Sequence, residues 1–389
     1  MKKIFLLAAF FTAMTVAACG GDDEPETPVI PEQPEQPGDK PDQPGDQPGQ
    51  PDQPESTAEF ARGADISWYT EMEADGKKFY TAEGVETPCP QLMRAIGMNA
   101  VRLRVWVNPQ RKGCGSYSDP ADVLVKAKAA HEAALNIMVD FHFSDWWADP
   151  SRQEMPLDWA GLDMEALQTA VADHVRQTLS SLKQAGIPVA WVQVGNETRN
   201  GMMHPAGQLW NEKGDLPDGW KHFAALYMAG YDAVKEVYPD ALVMPHLNHA
   251  YENNLWWFDK FRSAGGQMDM IALSHYPQAD NDSQSWSTLN QAAITQISNL
   301  HARYGVPVMV AEFGAKIANE SLAAQVSADF MQRARSLGKE VCAGVFYWEP
   351  EVYANWRPSW YVPLGWGAYD MGAFTATGKP SQVLDPWRE

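Results

Sequence analysis

Residues 191–197 read Trp191-Val192-Gln193-Val194-Gly195-Asn196-Glu197. The run is short, begins apolar and β-branched, and turns polar only in its last positions. A parallel strand buried on both faces reads this way when its carboxyl end reaches solvent. Seven further runs of the same kind begin near Gly63, Val101, Ile137, Leu242, Met270, Pro307 and Ala343, so that strand starts recur about every 40 residues. Between them, segments such as Ala121 to Leu135, Leu162 to Gln184 and Leu322 to Leu337 carry a helical apolar period with a polar outer face. A strand, a crossover helix and two loops fill such a repeat, and the expected fold is α/β, a (β/α)8 TIM barrel. No glycine-rich phosphate loop follows any run, which argues against a doubly wound sheet.

The polar residues collect at the ends of these runs. They are Asp65 and Ser67; Arg104; His142, Asp145 and Trp146; Asn196 and Glu197; His246 and Asn248; His275 and Tyr276; Glu312; and Trp348 with Glu349. The carboxyl ends of barrel strands open on one face, where barrel enzymes carry their active sites. Glu197 closes the fourth run and Glu312 the seventh, 115 residues apart, so two carboxylates are expected to face each other across the mouth. Glycoside hydrolysis uses such a pair: one protonated acid for the leaving oxygen, one ionised carboxylate for the anomeric carbon. Burial beside Asn196, Tyr276 and Trp348 is expected to raise one carboxyl, and Arg104 to hold the other down.

These residues resemble clan A of the glycoside hydrolases, and within it family 53, the endo-β-1,4-galactanases. The matching segments are Gly63-Ala64-Asp65-Ile66-Ser67, Arg102-Leu103-Arg104-Val105-Trp106, Ser144-Asp145-Trp146-Trp147-Ala148-Asp149-Pro150, Gln193-Val194-Gly195-Asn196-Glu197, Gly344-Val345-Phe346-Tyr347-Trp348-Glu349-Pro350 and Gly372-Ala373-Phe374. The resemblance implies that Glu197 is the general acid/base and Glu312 the nucleophile of a retaining enzyme. It implies that Arg104 and Asn196 hold the nucleophile and the sugar 2-hydroxyl, and that Asp65, His142, Asp145, His246, Asn248 and Tyr276 line the cleft. Trp348 would form its floor and Trp146 a stacking platform. The implied substrate is the β-1,4-galactan of pectin. The segment Ala315 to Ser321 is short and lacks an acidic run, so neither calcium nor any other metal or cofactor is expected.

Composition narrows the partners. The chain has 389 residues and a formal charge of −20, which repels phosphate backbones, so no nucleic acid partner is expected. Lys2 and Lys3, an apolar stretch from Ile4, and Val16-Ala17-Ala18-Cys19 resemble a lipoprotein signal peptide. Residues 1–18 are read as that signal, Cys19 as the lipid attachment site, and 58–389 as the catalytic barrel. Residues 20–57 hold ten of the 28 prolines and almost nothing apolar, so 19–57 reads as an extended, disordered stalk. The expected product is a monomer anchored by lipid to the outer membrane, with an acidic tract at Asp22-Asp23-Glu24 pointing to the cell surface. Of Cys89, Cys114 and Cys342, one pair at most can form, and Cys89–Cys114 is the expected one.

Three other readings use the same residues. A β-mannanase or cellulase would share Glu197 and Glu312 and differ in the lining of the cleft. A surface glycan-binding lipoprotein would use the barrel mouth without cutting. A metal-dependent hydrolase would draw on Asp140, His142, His246 and His275, although no short-range ligand motif accompanies them.

Overall fold

A computed structural model describes residues 59–388, apart from 280, 282, 353–355 and 365–369. The signal segment, Cys19 and the stalk therefore lie outside the described residues. Eight parallel strands follow in chain order: β1 (Ala61–Asp65), β2 (Ala100–Val105), β3 (Asn136–Phe141), β4 (Trp191–Val194), β5 in two pieces (Leu242–Met244 and His246–Leu247), β6 (Ile271–His275), β7 (Val308–Phe313) and β8 (Cys342–Trp348). Each pairs in parallel with the next, and β8 returns to β1 with Ala61 opposite Gly344 and Asp65 opposite Trp348. The ring passes through β5 in an unusual way. Its first piece pairs with β4 and its second with β6, and Pro245, which has no N–H for a ladder, separates them.

Helices cross over between the strands: α1 (Tyr69–Ala74) and α2 (Cys89–Ile96), then α3 (Pro120–Glu132), α4 (Met164–Gln184), α5 (Gly219–Val237), α6 (Leu255–Ser263), α7 (Trp286–Tyr304) and α8 (Glu320–Ser336). Side-chain caps mark where several begin. Asp119, Asp163, Ser285 and Asn319 each accept a backbone N–H from the first turn of the helix that follows. One feature of α3 departs from its polar-outside pattern. Lys126 is fully buried, its ammonium bonded to Ser67 O and paired with Asp122 at 2.6 Å.

The barrel interior is layered. At the amino-terminal end Trp191, Phe346, Met138, Met244, Met270 and Met309 fill it, with Trp191 and Phe346 edge to face at 6.1 Å. Gly63 has to lack a side chain there, because a Cβ would sit 2.2 Å from the Phe346 ring. Above this plug the interior turns polar. Strand alternation aims Trp191 and Gln193 inward, and likewise Arg102 and Arg104, so the mouth is floored by charge over an apolar base.

The expected Cys89–Cys114 disulfide does not form. All three described cysteines are buried free thiols. Cys89 opens α2 near Glu73 and Glu351, whereas Cys114 lies in the loop after β2 near Glu71, Arg104 and Lys112, and burial pushes both thiols up. The loop after β2 is tied instead to the loop after β3, Val107 N donating to Ser144 O at 2.8 Å and Asn108 N to Asp145 at 3.1 Å. Among the described residues no helix is long and apolar enough to cross a membrane.

Candidate active site

Glu197 sits three residues past β4 on a strained turn. Its φ is +46°, in the left-handed region that non-glycine residues seldom enter, and it follows Gly195 at +91°. Neighbours hold this turn from several sides. Gly195 N donates to Phe141 O at 3.0 Å, Thr198 N to His246 O at 2.8 Å, and Gln153 Nε2 to Asn196 O at 2.8 Å. A backbone this constrained aims the Glu197 side chain by geometry set before any substrate arrives.

Asn196 is oriented with equal care. Its Nδ2 donates to Ala148 O at 2.7 Å, so Oδ1 is the acceptor, and it receives Arg102 Nη2 at 2.8 Å and His246 Nδ1 at 2.9 Å. His246 completes the chain through Nε2 to Ser274 Oγ at 2.8 Å. Burial, with Arg102 close by, keeps this imidazole well below its usual pKa and therefore neutral; its Nδ1 faces both Asn196 Oδ1 at 2.9 Å and the Glu197 N–H at 3.3 Å.

Glu312 is buried at the end of β7, three strands around the ring from Glu197. One oxygen receives Arg102 Nη2 at 2.8 Å and the other the Tyr276 hydroxyl at 2.7 Å. Burial pushes this carboxyl up, while Arg102 and the Tyr276 hydroxyl act to keep it ionised. Arg102 is the hub of the site. It also bonds Asp65 at 2.6 Å, Asp140 at 2.8 Å and Gln193 at 2.6 Å. Burial opposes its charge, but the Asp140, Glu312 and Asp65 carboxylates outweigh that and hold the guanidinium protonated. In turn, although burial acts against Asp140, Arg102 and His142 hold it below the ordinary carboxylate range.

The structure corrects several sequence expectations. Arg102, not Arg104, holds Glu312. Arg104 pairs with Glu349, and its guanidinium lies 4.2 Å from the Trp68 ring, 4.8 Å from Trp106 and 4.2 Å from Trp147. Both arginines point inward, but two residues along a strand separate one set of partners from the other. Asp65, His142, Asp145 and His246 support the cleft and do not offer it free polar atoms. Asp65 binds Arg102 and both the N and Oγ of Ser67. His142 Nδ1 accepts from Ala148 N at 3.0 Å and its Nε2 meets Asp140 at 2.9 Å. The oxygens of Asp145 accept Asn108 N at 3.1 Å and Leu157 N at 2.9 Å, tying two mouth loops together.

Trp146 is not an open platform. Arg152 lies 4.4 Å and Lys112 5.1 Å over its ring, and Nε1 bonds Glu154 at 3.0 Å. Its neighbour Trp147 reaches the site instead, edge to face with Trp348 at 6.0 Å, and Trp348 meets Tyr276 the same way at 6.0 Å. Trp348 is half-buried at the end of β8, as a cleft floor requires. Asn248 carries a buried Oδ1 with no hydrogen-bond partner among the described residues, an acceptor suited to a hydroxyl donor. The histidines named for a metal do not converge: His275 Nε2 bonds Asn290 at 2.9 Å, away from His142 and His246. Among the described residues no group of three or more His, Cys, Asp or Glu is arranged to hold a metal ion.

Sequence reading missed Arg102, Gln193, Ser274 and Gln153. Parity along the strand marks Arg102 as inward, and Asp65 stands directly across from it in the sheet. That charge pair was the available signal.

Comparison with known proteins follows the same lines. Residues 61–385 match the sequence profile of glycosyl hydrolase family 53. A protein of Aspergillus fumigatus described as a probable arabinogalactan endo-beta-1,4-galactanase A is 30% identical over 318 residues, which cover 76% of this chain and 85% of the relative. The family 53 catalytic domain of Ignisphaera aggregans superposes with a TM-score of 0.72 at 26% identity, covering 88% of this chain and 97% of that one. A solved fungal β-1,4-galactanase gives a TM-score of 0.70 at 25% identity, covering 84% and 98%.

Proposed function

Because the chain belongs to glycosyl hydrolase family 53, we propose that it is an endo-acting, retaining β-1,4-galactanase that cuts the (arabino)galactan of pectin into galacto-oligosaccharides. The observation that carries the reading is Glu312, one oxygen on the Arg102 guanidinium and the other on the Tyr276 hydroxyl, across the mouth from the rigid Asn196-Glu197 turn. The galactanases among its relatives support the choice of substrate.

The ionised Glu312 attacks the anomeric carbon while Glu197 gives its proton to the leaving oxygen, so the glycosidic bond breaks as an ester to Glu312 forms. Glu197, now a carboxylate, takes a proton from water; the water oxygen attacks the same carbon, and the ester opens to restore Glu312. Arg102 and Tyr276 hold the Glu312 charge before attack and after release. Asn196 keeps a second N–H on Nδ2 for the 2-hydroxyl, and Trp348 floors the subsite. No step draws on a cofactor or metal.

A panel of linear β-1,4-galactan, β-mannan, β-glucan and arabinan tests the substrate. Mid-length oligosaccharides appearing early from galactan alone are expected. Cleavage of mannan or glucan instead would keep the two carboxylates and overturn the substrate, and tight binding without cleavage would point to a glycan-binding protein.

For the amino-terminal region the proposal is removal of residues 1–18, acylation of Cys19, and display of the monomeric barrel from the outer membrane on the 19–57 stalk. Lys2, Lys3 and the Ala18-Cys19 junction support it. Cys19→Ala is expected to move the protein from the membrane to the soluble fraction, and retention in the membrane would contradict the anchor.

A further inference from the structure

We propose that Trp210, Trp220 and Trp256 form a second galactan-binding platform on the rim of the cleft, beside the loop that carries Glu197; the inference rests on the galactanase reading. Helices that follow barrel strands begin on the mouth side, and Trp220 and Trp256 lie in the first turns of α5 and α6. Trp210 comes from a two-stranded ribbon in the loop after β4, where Trp210–Asn211 pairs with Gly214–Asp215. Three separate segments thus bring three indoles together, with ring centroids 6.5, 5.9 and 6.3 Å apart.

The platform is continuous with the catalytic loop. Asn200, three residues after Glu197, accepts Trp210 N at 2.9 Å and donates to Trp210 O at 3.1 Å. Lys260, anchored to Asp215 at 2.6 Å, holds its ammonium 5.5 Å over Trp220 and 5.8 Å over Trp256; unlike the buried Trp146, Trp256 still keeps open surface for a sugar. Trp210 and Trp220 rest half-buried on the core, Trp220 edge to face with Trp257 at 5.5 Å, but core packing does not account for Trp256. Trp257, Phe258 and Phe261 already bury the inner face of α6, whereas Trp256 stays 39% exposed. The buried Nε1 of Trp220 has no hydrogen-bond partner among the described residues.

Galactose suits such a surface. Its axial 4-hydroxyl leaves the opposite face as a patch of C–H bonds, which stacks on an indole. A polymer threaded through the cleft would reach the rim, whereas a short oligosaccharide held at the carboxylates would not.

The test compares kcat/KM on long β-1,4-galactan with kcat/KM on β-1,4-galactotetraose. Trp256→Ala is expected to lower the polymer-to-tetraose ratio about five-fold through KM, and Trp256→Phe to recover most of it. Trp210→Ala, in a different segment, is expected to change the ratio in the same direction. An unchanged ratio in both alanine variants would overturn the platform while leaving the galactanase reading intact. A parent protein that leaves galactan uncut would overturn the substrate reading and the platform with it.

Discussion

Arg102 and Arg104 lie on one strand, both inside the barrel and both paired with buried carboxylates, yet the two neighbourhoods differ in charge. Around Arg102 the acids are Asp65, Asp140 and Glu312, and the guanidinium bonds all three. Around Arg104 the ring faces of Trp68, Trp106 and Trp147 replace most of the polar partners, and among the described residues Glu349 is the one acid that its guanidinium bonds. There, burial pushes Glu349 up to about 8 against the pull of Arg104, Glu71 up to about 7, and Glu351 well above the usual carboxylate range. On the Arg102 side burial pushes Glu312 up too, but Arg102 and the Tyr276 hydroxyl oppose it, and Asp140 is held below the ordinary carboxylate range. The catalytic half needs charge ready at neutral pH; the tryptophan half holds the mouth loops.

The sharpest test of that division is Glu312→Gln. It is expected to cut turnover by ~10⁴ or more with the fold retained, because nothing else in the mouth replaces the nucleophile. Next come the arginines themselves. Arg102→Lys keeps the charge but loses the fork, and kcat/KM should fall by ~10²–10³. Arg104→Lys should cost less than ~10-fold in rate while lowering thermal stability. Equal kinetic damage from the two would break the comparison.

Tyr276→Phe probes the same carboxylate more gently. The Tyr276 hydroxyl lowers the Glu312 pKa, so its loss should move the acid limb of kcat/KM to higher pH and cost roughly ten-fold in rate. An unmoved acid limb would mean that Glu312 does not set it.

The smallest effect belongs to the tryptophan half. Glu71 lies under Trp360, which donates its indole N–H at 2.6 Å, and burial raises the carboxyl from 4.5 to about 7. Between those values the folded protein binds a proton that the unfolded chain has lost. Stability from this group is therefore full below about 4.5 and declines as pH rises towards 7. Glu71→Gln keeps an acceptor for Trp360 and should flatten that decline by roughly 1 kcal/mol in denaturant titrations at pH 5 and 8. A steeper decline in the variant would contradict it.

Much of this was legible before any coordinates. The eight runs announce themselves because strands buried on both faces stay mostly apolar up to their carboxyl ends, and that also marks Asn196, Glu197, Tyr276, Glu312 and Trp348. What stayed hidden is depth and occupancy. Alternation says that Arg102 and Arg104 face inward, but not which of them reaches across the axis. A histidine at a strand end reads the same whether its nitrogens face a sugar or, as in His142 and His246, are engaged by Asp140, Ala148, Asn196 and Ser274. Trp146 reads as a platform until Arg152 and Lys112, one of them 34 residues away in sequence, are found over its ring. The Cys89–Cys114 expectation failed for the same reason: loop direction is a tertiary property.

The central claim is that Glu312, held by Arg102, forms the covalent bond to the sugar. The direct measurement is mass spectrometry of peptides after reaction with a 2-deoxy-2-fluoro-β-galactobioside bearing an activated leaving group. A single glycosyl adduct on Glu312, absent from Glu312→Gln, is the expected result. An adduct on Glu197 or Glu349, or turnover with inverted anomeric configuration and no adduct, would contradict it.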